Sequence, residues 1–344
     1  MNSFGHYLRL TTFGESHGAA MGGVLDGFPS GERPDFALMK EMLARRRPGS
    51  SPLVTSRRES DEPEFLSGIS PEGLTLGTPI AFIVRNRDHR SADYDAMRDL
   101  YRPNHADLTT EARYGLRDHR GGGRASARET VSWVIGGALA AGWLRTRGIT
   151  AEARLTRIGG VEILEDSIID SIIAEARRNC DSVGGVVSCV IKGVRLGEAG
   201  SPVFDKLHAS LGRAMLSING VHGFEYGAGF AMADARGSQV ADTYRSLSSD
   251  ETRDARIPVT NFSGGIQGGI SNGNDICFRV AFKPTPTIGL PLDCLGRDGE
   301  AHRVELRGRH DPCIAIRGAV VVEAMAALAI ADAILESGIH SRGT

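Results

Sequence analysis

Lysine is almost missing from this chain. Of 40 basic residues only Lys40, Lys192, Lys206 and Lys283 are lysines, and the rest are arginines. Genomic bias accounts for the average arginine. Yet a guanidinium also grips carboxylate or phosphate at two points, which an ammonium cannot do, so position must decide which arginines bind anions. A strong excess of one charge is missing too. The formal net charge of −2 provides no basic field for nucleic acid or a membrane surface, and neither partner is expected. The cysteines lack pattern: Cys180, Cys189, Cys277, Cys294 and Cys313 show no C-x-x-C spacing. An odd, scattered set reads as reduced intracellular thiols rather than a disulfide frame or zinc site, so no metal is expected. The opening MNSFGHYLRL lacks the apolar core of a signal peptide. The longest apolar stretch, Ala319 to Leu335, is broken by Glu323 and Asp332 and reads as too short and too charged to span a bilayer. A cytoplasmic protein is the resulting expectation. No short-period repeat or low-complexity linker divides the chain.

What is present is a large core. With 344 residues, 41% of them hydrophobic, the chain can bury one, and a single domain over residues 1–344 is expected. Helical periodicity covers Asp35 to Arg47, ended by Pro48 and Gly49, and Phe204 to Leu216. It also covers Ser126 to Arg147, with Ser126 as N-cap and Glu129 three residues on, and Ala319 to Leu335, which is apolar nearly all round. Strand-like runs cover Leu8–Phe13, Gly23–Asp26, Pro79–Arg85, Gly185–Val194, Phe230–Ala233 and Asp275–Phe282. Without strict strand–helix alternation, the pattern favours α+β layers over a doubly wound parallel sheet.

The chain holds 44 glycines, and three clusters of them stand beside polar or arginine residues: Gly121-Gly122-Gly123, Gly264-Gly265 and Gly268-Gly269 with Gly273. Glycine allows a backbone to approach an anion or a flat ring. Five segments can carry chemistry. In Gly14-Glu15-Ser16-His17-Gly18, flanking glycines leave His17 able to reach a pocket and move a proton near neutral pH, with a structural histidine as the alternative. Arg45-Arg46-Arg47 ends a helix; it either complements the dipole or lends one or two cations to an anionic substrate. Tyr101-Arg102-Pro103-Asn104-His105-Ala106-Asp107 offers His105 as a second acid, or merely a loop histidine. From Arg117 to Thr130, a glycine-rich loop enters a helix with four arginines, suited to phosphate unless it is a loop with solvated side chains. In Arg307-Gly308-Arg309-His310-Asp311-Pro312-Cys313, Asp311 is either a turn residue or a carboxylate held near a cofactor. No Walker A or G-x-G-x-x-G motif is present.

Taken together, these motifs resemble the chorismate synthase family. Gly14–Gly18, Gly121–Thr130 and Arg309–Cys313 look like its signatures in order, and the similarity runs from Phe13 to about Leu335. It includes Arg102–Asp107, Met215–Asn219 and Lys283-Pro284-Thr285. The resemblance implies a β-α-β sandwich with mixed or antiparallel sheets around buried helices, assembled as a homotetramer. It implies reduced FMN (FMNH2) as cofactor, NADPH only indirectly through an external flavin reductase, and 5-enolpyruvylshikimate 3-phosphate as substrate of a 1,4-elimination without net redox. Carried over by position, His17, His105 and Asp311 would be catalytic. Arg124, Ala125, Ser126, Asn219, Gly220, Gly268, Lys283, Pro284, Thr285, Pro286, Thr287 and Arg309 would touch FMN, and Arg46 would lie on the substrate or nicotinamide-nucleotide side. Three positions depart from the family pattern. Pro52 replaces an arginine, leaving Arg57 or Arg58 to supply that charge; His119 replaces an aromatic; Phe262 replaces a histidine. The rival expectation is a flavin-dependent oxidoreductase, or a synthase with its own NADPH:FMN reductase activity.

Overall fold

Two antiparallel sheets enclose a helical layer. The structure, a computed structural model, describes residues 1–47, 61–86, 97–245, 254–305 and 311–340. The first sheet holds β1 (Ser3–Phe4), β2 (Arg9–Gly14), β3 (Ala20–Asp26), β4 (Glu64–Phe65) and β5 (Ile80–Arg85) in the order β1-β2-β3-β5-β4. After β6 (Leu100–Tyr101), the second sheet is built from β7 (Thr150–Ile158), β8 (Val161–Glu162), β9 (Gly185–Lys192), β10 (Val221–Tyr226) and β13 (Ile276–Phe282), ordered β10-β13-β9-β7-β8. A small hairpin, β11 (Ile266–Gln267) with β12 (Ile270–Ser271), and a three-stranded sheet of β6, β14 (Leu292–Gly296) and β15 (Ala301–Val304) complete the set.

The helices are α1 (Phe36–Arg46), α2 (Asp107–Tyr114), α3 (Thr130–Arg145), α4 (Asp166–Arg178), α5 (Leu207–Leu216) and α6 (Ala315–His340). α3 lies on the first sheet, α6 on the second, and the two pack against each other. That close approach needs Gly137, where a Cβ would come within 2.4 Å of the Ala324 Cβ. The layers are therefore sheet, helices, sheet, as the α+β sandwich expectation requires. In the second sheet Val187, Cys189 and Ile191 sit opposite Val280, Phe278 and Ile276, and all six are buried against α6 and its neighbours. The alternation legible in β9 is the one this register needs.

Two expectations are corrected. Phe230–Ala233 is not a strand but part of a 3₁₀ stretch, Gly229–Asp234, with Phe230 exposed. Gly229 turns the chain at φ +59°, and the Glu225 carboxylate accepts the Phe230 N–H at 3.1 Å. The strand itself is β10, just before. The apolar C-terminal stretch is also longer than the sequence suggested: Ala315–Gly338 has the length and composition to cross a membrane, at a mean hydropathy of 2.0. Its burial inside the fold gives it the character of a core helix, and two of its four charged residues, Glu323 and Asp332, tie other elements to it. Glu323 receives both Nη groups of Arg45 at 2.8 Å and the Ala153 N–H at 2.8 Å, tying α1, α6 and β7.

Asp332 accepts the backbone N–H groups of His6, Tyr7 and Leu8, each at 2.8 Å, and so fixes the turn between β1 and β2. Asp332→Ala should lower stability by about 2 kcal/mol, the range for losing charge-assisted bonds at a partly solvated site. The urea midpoint measures this, and an unchanged midpoint would show that water replaces the carboxylate.

Candidate active site

The β2–β3 hairpin presents Glu15, Ser16 and His17 at its tip. Asn86 clamps the tip, its Nδ2 donating to the carbonyls of Glu15 at 3.1 Å and Gly18 at 2.9 Å. Ser16 and His17 are buried, with Ser16 Oγ 3.2 Å from His17 Nδ1. Facing them is the triglycine loop, whose three residues have φ of +73°, +102° and +53°. Its backbone touches three titratable groups in succession. A Cβ would lie 2.1 Å from His17 Cε1 at Gly121, 2.8 Å from His105 Cε1 at Gly122, and 2.7 Å from Glu15 Oε2 at Gly123. Only glycine fits there, and the loop brings the two imidazoles side by side from separate segments. Burial raises the Glu15 pKa, with Arg124 opposing.

His105 follows β6 in a loop that is itself heavily braced. Its Nδ1 is 3.0 Å from Asp107 Oδ1, at the start of α2. Asp107 is 3% exposed and receives Arg102 twice, Nε at 2.7 Å and Nη2 at 2.9 Å, as well as the Arg102 N–H at 3.1 Å. Burial alone would raise this carboxyl, but the hydrogen bonds from Arg102 and His105 hold it far below the usual range, so it stays ionised. Arg117 donates to the carbonyls of Met97, Arg98 and Leu100 and pairs with Glu111, closing the loop from beneath.

The arginine-rich segment is not a row of waiting cations. Arg117 is met by Glu111, Arg120 by Asp118, Arg124 by Glu129 at 2.7 Å and Arg128 by Asp61. Its sequence signature is therefore largely internal bracing, and the expected helix start differs accordingly. Ser126 caps a 3₁₀ turn, Ala127–Glu129, by accepting from Arg128 N, while Glu129 turns to Thr12, Trp133 and Arg124.

Arg46 lies beneath the same region, 1% exposed. Its Nη2 is 2.7 Å from Asp61 Oδ2, and Arg128 holds the other oxygen. Burial pushes Arg46 down to about 10, still a cation at neutral pH. Asp61 would be raised by burial, but the two arginines lower it to about 2.

Asp311, 6% exposed, precedes α6. Arg317 Nε stands 2.7 Å from Oδ2 as an ion pair. Burial raises its pKa, with Arg317 opposing, which suits a carboxyl that picks up and releases a proton.

Most of the proposed cofactor residues form a continuous rim. Asn219 Nδ2 donates to the Ala125 carbonyl at 2.9 Å, Lys283 N to the Gly220 carbonyl at 2.9 Å, and Lys283 Nζ to the Asn104 carbonyl at 2.6 Å, next to His105. Gly220 faces Ile314, and the Pro312 carbonyl accepts from Val183 N. Gly268 is not part of this rim. Its neighbour Gly269 bonds Leu207 N at the start of α5, whereas Asn219 follows the end of that helix, about 15 Å away for ten residues. Arg309, His310, Pro48, Gly49, Pro52, Arg57 and Arg58 lie outside the described residues.

A profile described as chorismate synthase matches residues 8–335. The chain belongs to the chorismate synthase family. Curated chorismate synthases from Cytophaga hutchinsonii and Bacteroides fragilis are 49% and 48% identical to it, covering 96% of this chain in both cases and 96% and 97% of their own. A crystal structure of chorismate synthase superposes with a TM-score of 0.74 at 28% identity, over 97% of this chain and 93% of that one. Like other chorismate synthases, the chain is an enzyme of the lyase class.

For a chorismate synthase, the sequence reading missed the residues that hold the acids. Asp107 stood in a quoted motif without a role; Asn86 and Asp61 were not singled out at all. Their only signal was an acid or amide near a histidine or arginine cluster in sequence, which is too common to select them. The rim also holds oxygens that want a donor or acceptor. Asn219 Oδ1 and Thr285 Oγ1 are buried without a hydrogen-bond partner among the described residues. Such atoms are costly unless a bound group satisfies them, so the residues fit a polar bound group.

Proposed function

We propose that this chain catalyses the 1,4-anti elimination of phosphate from 5-enolpyruvylshikimate 3-phosphate to give chorismate, with reduced FMN and no net redox, at the last common step towards the aromatic amino acids. The observation that carries the reading is the seating of His17 and His105 on consecutive glycines. It sets two proton-transfer groups in one enclosed place beside an unsatisfied polar rim. Asn219, Gly220, Lys283 to Thr287 and the backbone of Arg124 to Ser126 would hold the cofactor, with Arg309 as the family pattern assigns it and Gly268 left outside the rim. When bound, reduced FMN would lend electron density to the breaking C–O bond and recover it, which makes a difficult elimination accessible.

The chain's own residues would do the rest. His105 would give a proton to the phosphate as the C3–O bond breaks with its electron pair. Asp311, with its raised pKa, would accept the proton leaving C6, whose C–H electrons form the new double bond. His17 would hold a proton beside the cofactor. Arg46 would reach an anion only by leaving Asp61. Cytoplasmic placement, a homotetramer and an external flavin reductase complete the proposal.

The test is anaerobic incubation with the phosphoester and FMN, with and without dithionite, following chorismate and phosphate. Many turnovers per flavin, only when FMN is reduced, is the expected result. Product from oxidised FMN plus NADPH would instead show a built-in reductase. No product under full reduction with flavin bound would remove the assignment.

A further inference from the structure

We propose that Asn86 is the positioning residue of His17: its side-chain amide sets the turn that carries the imidazole, and Arg128 sets which way the amide faces. The inference rests on the reading of His17 as a group that holds a proton beside the cofactor. Glu15 to Gly18 form a turn closed by the Gly18 N–H on the Glu15 carbonyl at 2.9 Å, with Ser16 and His17 at its centre. A single bond of this kind leaves a turn free to rock about its ends. Asn86, 8% exposed and next after β5, removes that freedom. Its Nδ2 donates to the carbonyls of Glu15 at 3.1 Å and Gly18 at 2.9 Å, and its backbone N–H donates to the Ala19 carbonyl at 3.1 Å.

The amide can face only one way. A guanidinium donates and never accepts, so the atom that meets Arg128 Nε at 3.0 Å is the oxygen. A carbonyl accepts and never donates, so the atom between Glu15 and Gly18 is the nitrogen, and both of its hydrogens are used. Arg128 is fixed in turn by Asp61, whose other oxygen holds Arg46 Nη2 at 2.7 Å. The setting matters because the His17 ring lies against Gly121, its Cε1 only 2.1 Å from where a Cβ would stand, so a tilt of the turn moves the ring along the loop. An isostere separates this donor role from packing. Asn86→Asp keeps the shape and strengthens the contact with Arg128, but it sets a carboxylate oxygen against two carbonyl oxygens where two donors stood. The turn must then tilt, and His17 goes with it.

The test places Asn86→Asp in the wild-type enzyme and in His17→Ala, each with reduced FMN and saturating phosphoester. In the wild type kcat should fall by about 100-fold, the loss for moving a reacting group by an ångström, with KM little changed. In His17→Ala the same change should cost less than about 3-fold, because the group it positions is already gone. Asn86→Gln, which keeps both donors on a longer arm, should recover part of the loss. Solid-state NMR on the sedimented full-length enzyme, labelled with ¹⁵N-histidine, gives a readout apart from turnover. The His17 signal, assigned by its loss in His17→Ala, should shift in Asn86→Asp. Wild-type kcat in Asn86→Asp, an unmoved His17 signal, or equal losses in the two backgrounds overturns the proposal, equal losses being the mark of a role in folding alone. If Asn86→Asp does not fold, Asn86→Ala runs the same cycle with the same outcomes. Failure of the underlying reading looks different: His17→Ala alone would then turn over at the wild-type rate.

Discussion

Gly121→Ala should lower turnover by about 100-fold or more while the protein still folds. Two costs arise and they can be separated. An L-residue at φ +73° costs about 1 to 2 kcal/mol of backbone strain. The new methyl would also stand 2.1 Å from His17 Cε1 and 2.3 Å from Nδ1, so the imidazole must move by an ångström or more. A displacement of that size at a reacting group costs about two orders of magnitude in rate. Gly148→Ala isolates the first cost, since φ there is +74° and nothing lies within 4 Å of the added carbon. It should lose about 1 kcal/mol of stability and no turnover. Gly122→Ala should fall between the two, because its methyl would meet His105 at 2.8 Å rather than 2.1 Å. Equal losses of turnover at residues 121 and 148 would show that the contact with His17 is irrelevant.

The sequence was legible where one local rule decided the outcome. α1 begins at Asp35, whose side chain accepts from Leu38 N, and β9 shows the period its register needs. It was illegible where tertiary partners decided. Four arginines around a glycine loop look like an anion site, and only the fold shows a carboxylate opposite each one. α2 was missed because it is largely exposed, with Asp107 its one buried residue, whereas α4 was missed although Ile168, Ile169, Ile172 and Ile173 recur at helical spacing and pack on the core. β7 escaped notice because its outer face carries Glu152, Arg154 and Arg157. At the site, the motifs offered His17 and His105 as candidate acids, but not the order in which the glycine loop seats them. That order depends on three positive φ values, which glycine permits without requiring.

Asp61→Ala should be the most destabilising single change in the described structure, at about 3 to 5 kcal/mol, because it strands two buried guanidinium groups, Arg46 and Arg128, with no carboxylate between them. The effect depends on pH in a definite direction. The folded carboxyl titrates at about 2 against an ordinary 3.8, so its charge stabilises the fold above pH 4 and that contribution is lost as the pH falls towards 2. The gap in unfolding free energy between wild type and Asp61→Ala should therefore narrow by about 1 kcal/mol from pH 5 to pH 3. Guanidinium titrations at both pH values measure it, and parallel curves would mean that the arginines find other partners. Asp61→Asn keeps an acceptor and the shape, and should cost less. The same change should reach the active site through a short chain of bonds. Arg128 Nε donates to Asn86 Oδ1 at 3.0 Å, and Asn86 Nδ2 clamps the carbonyls on either side of His17. A stability defect in Asp61→Asn should thus come with slower turnover, whereas Asp332→Ala, far along α6 from this chain of bonds, should lose stability alone.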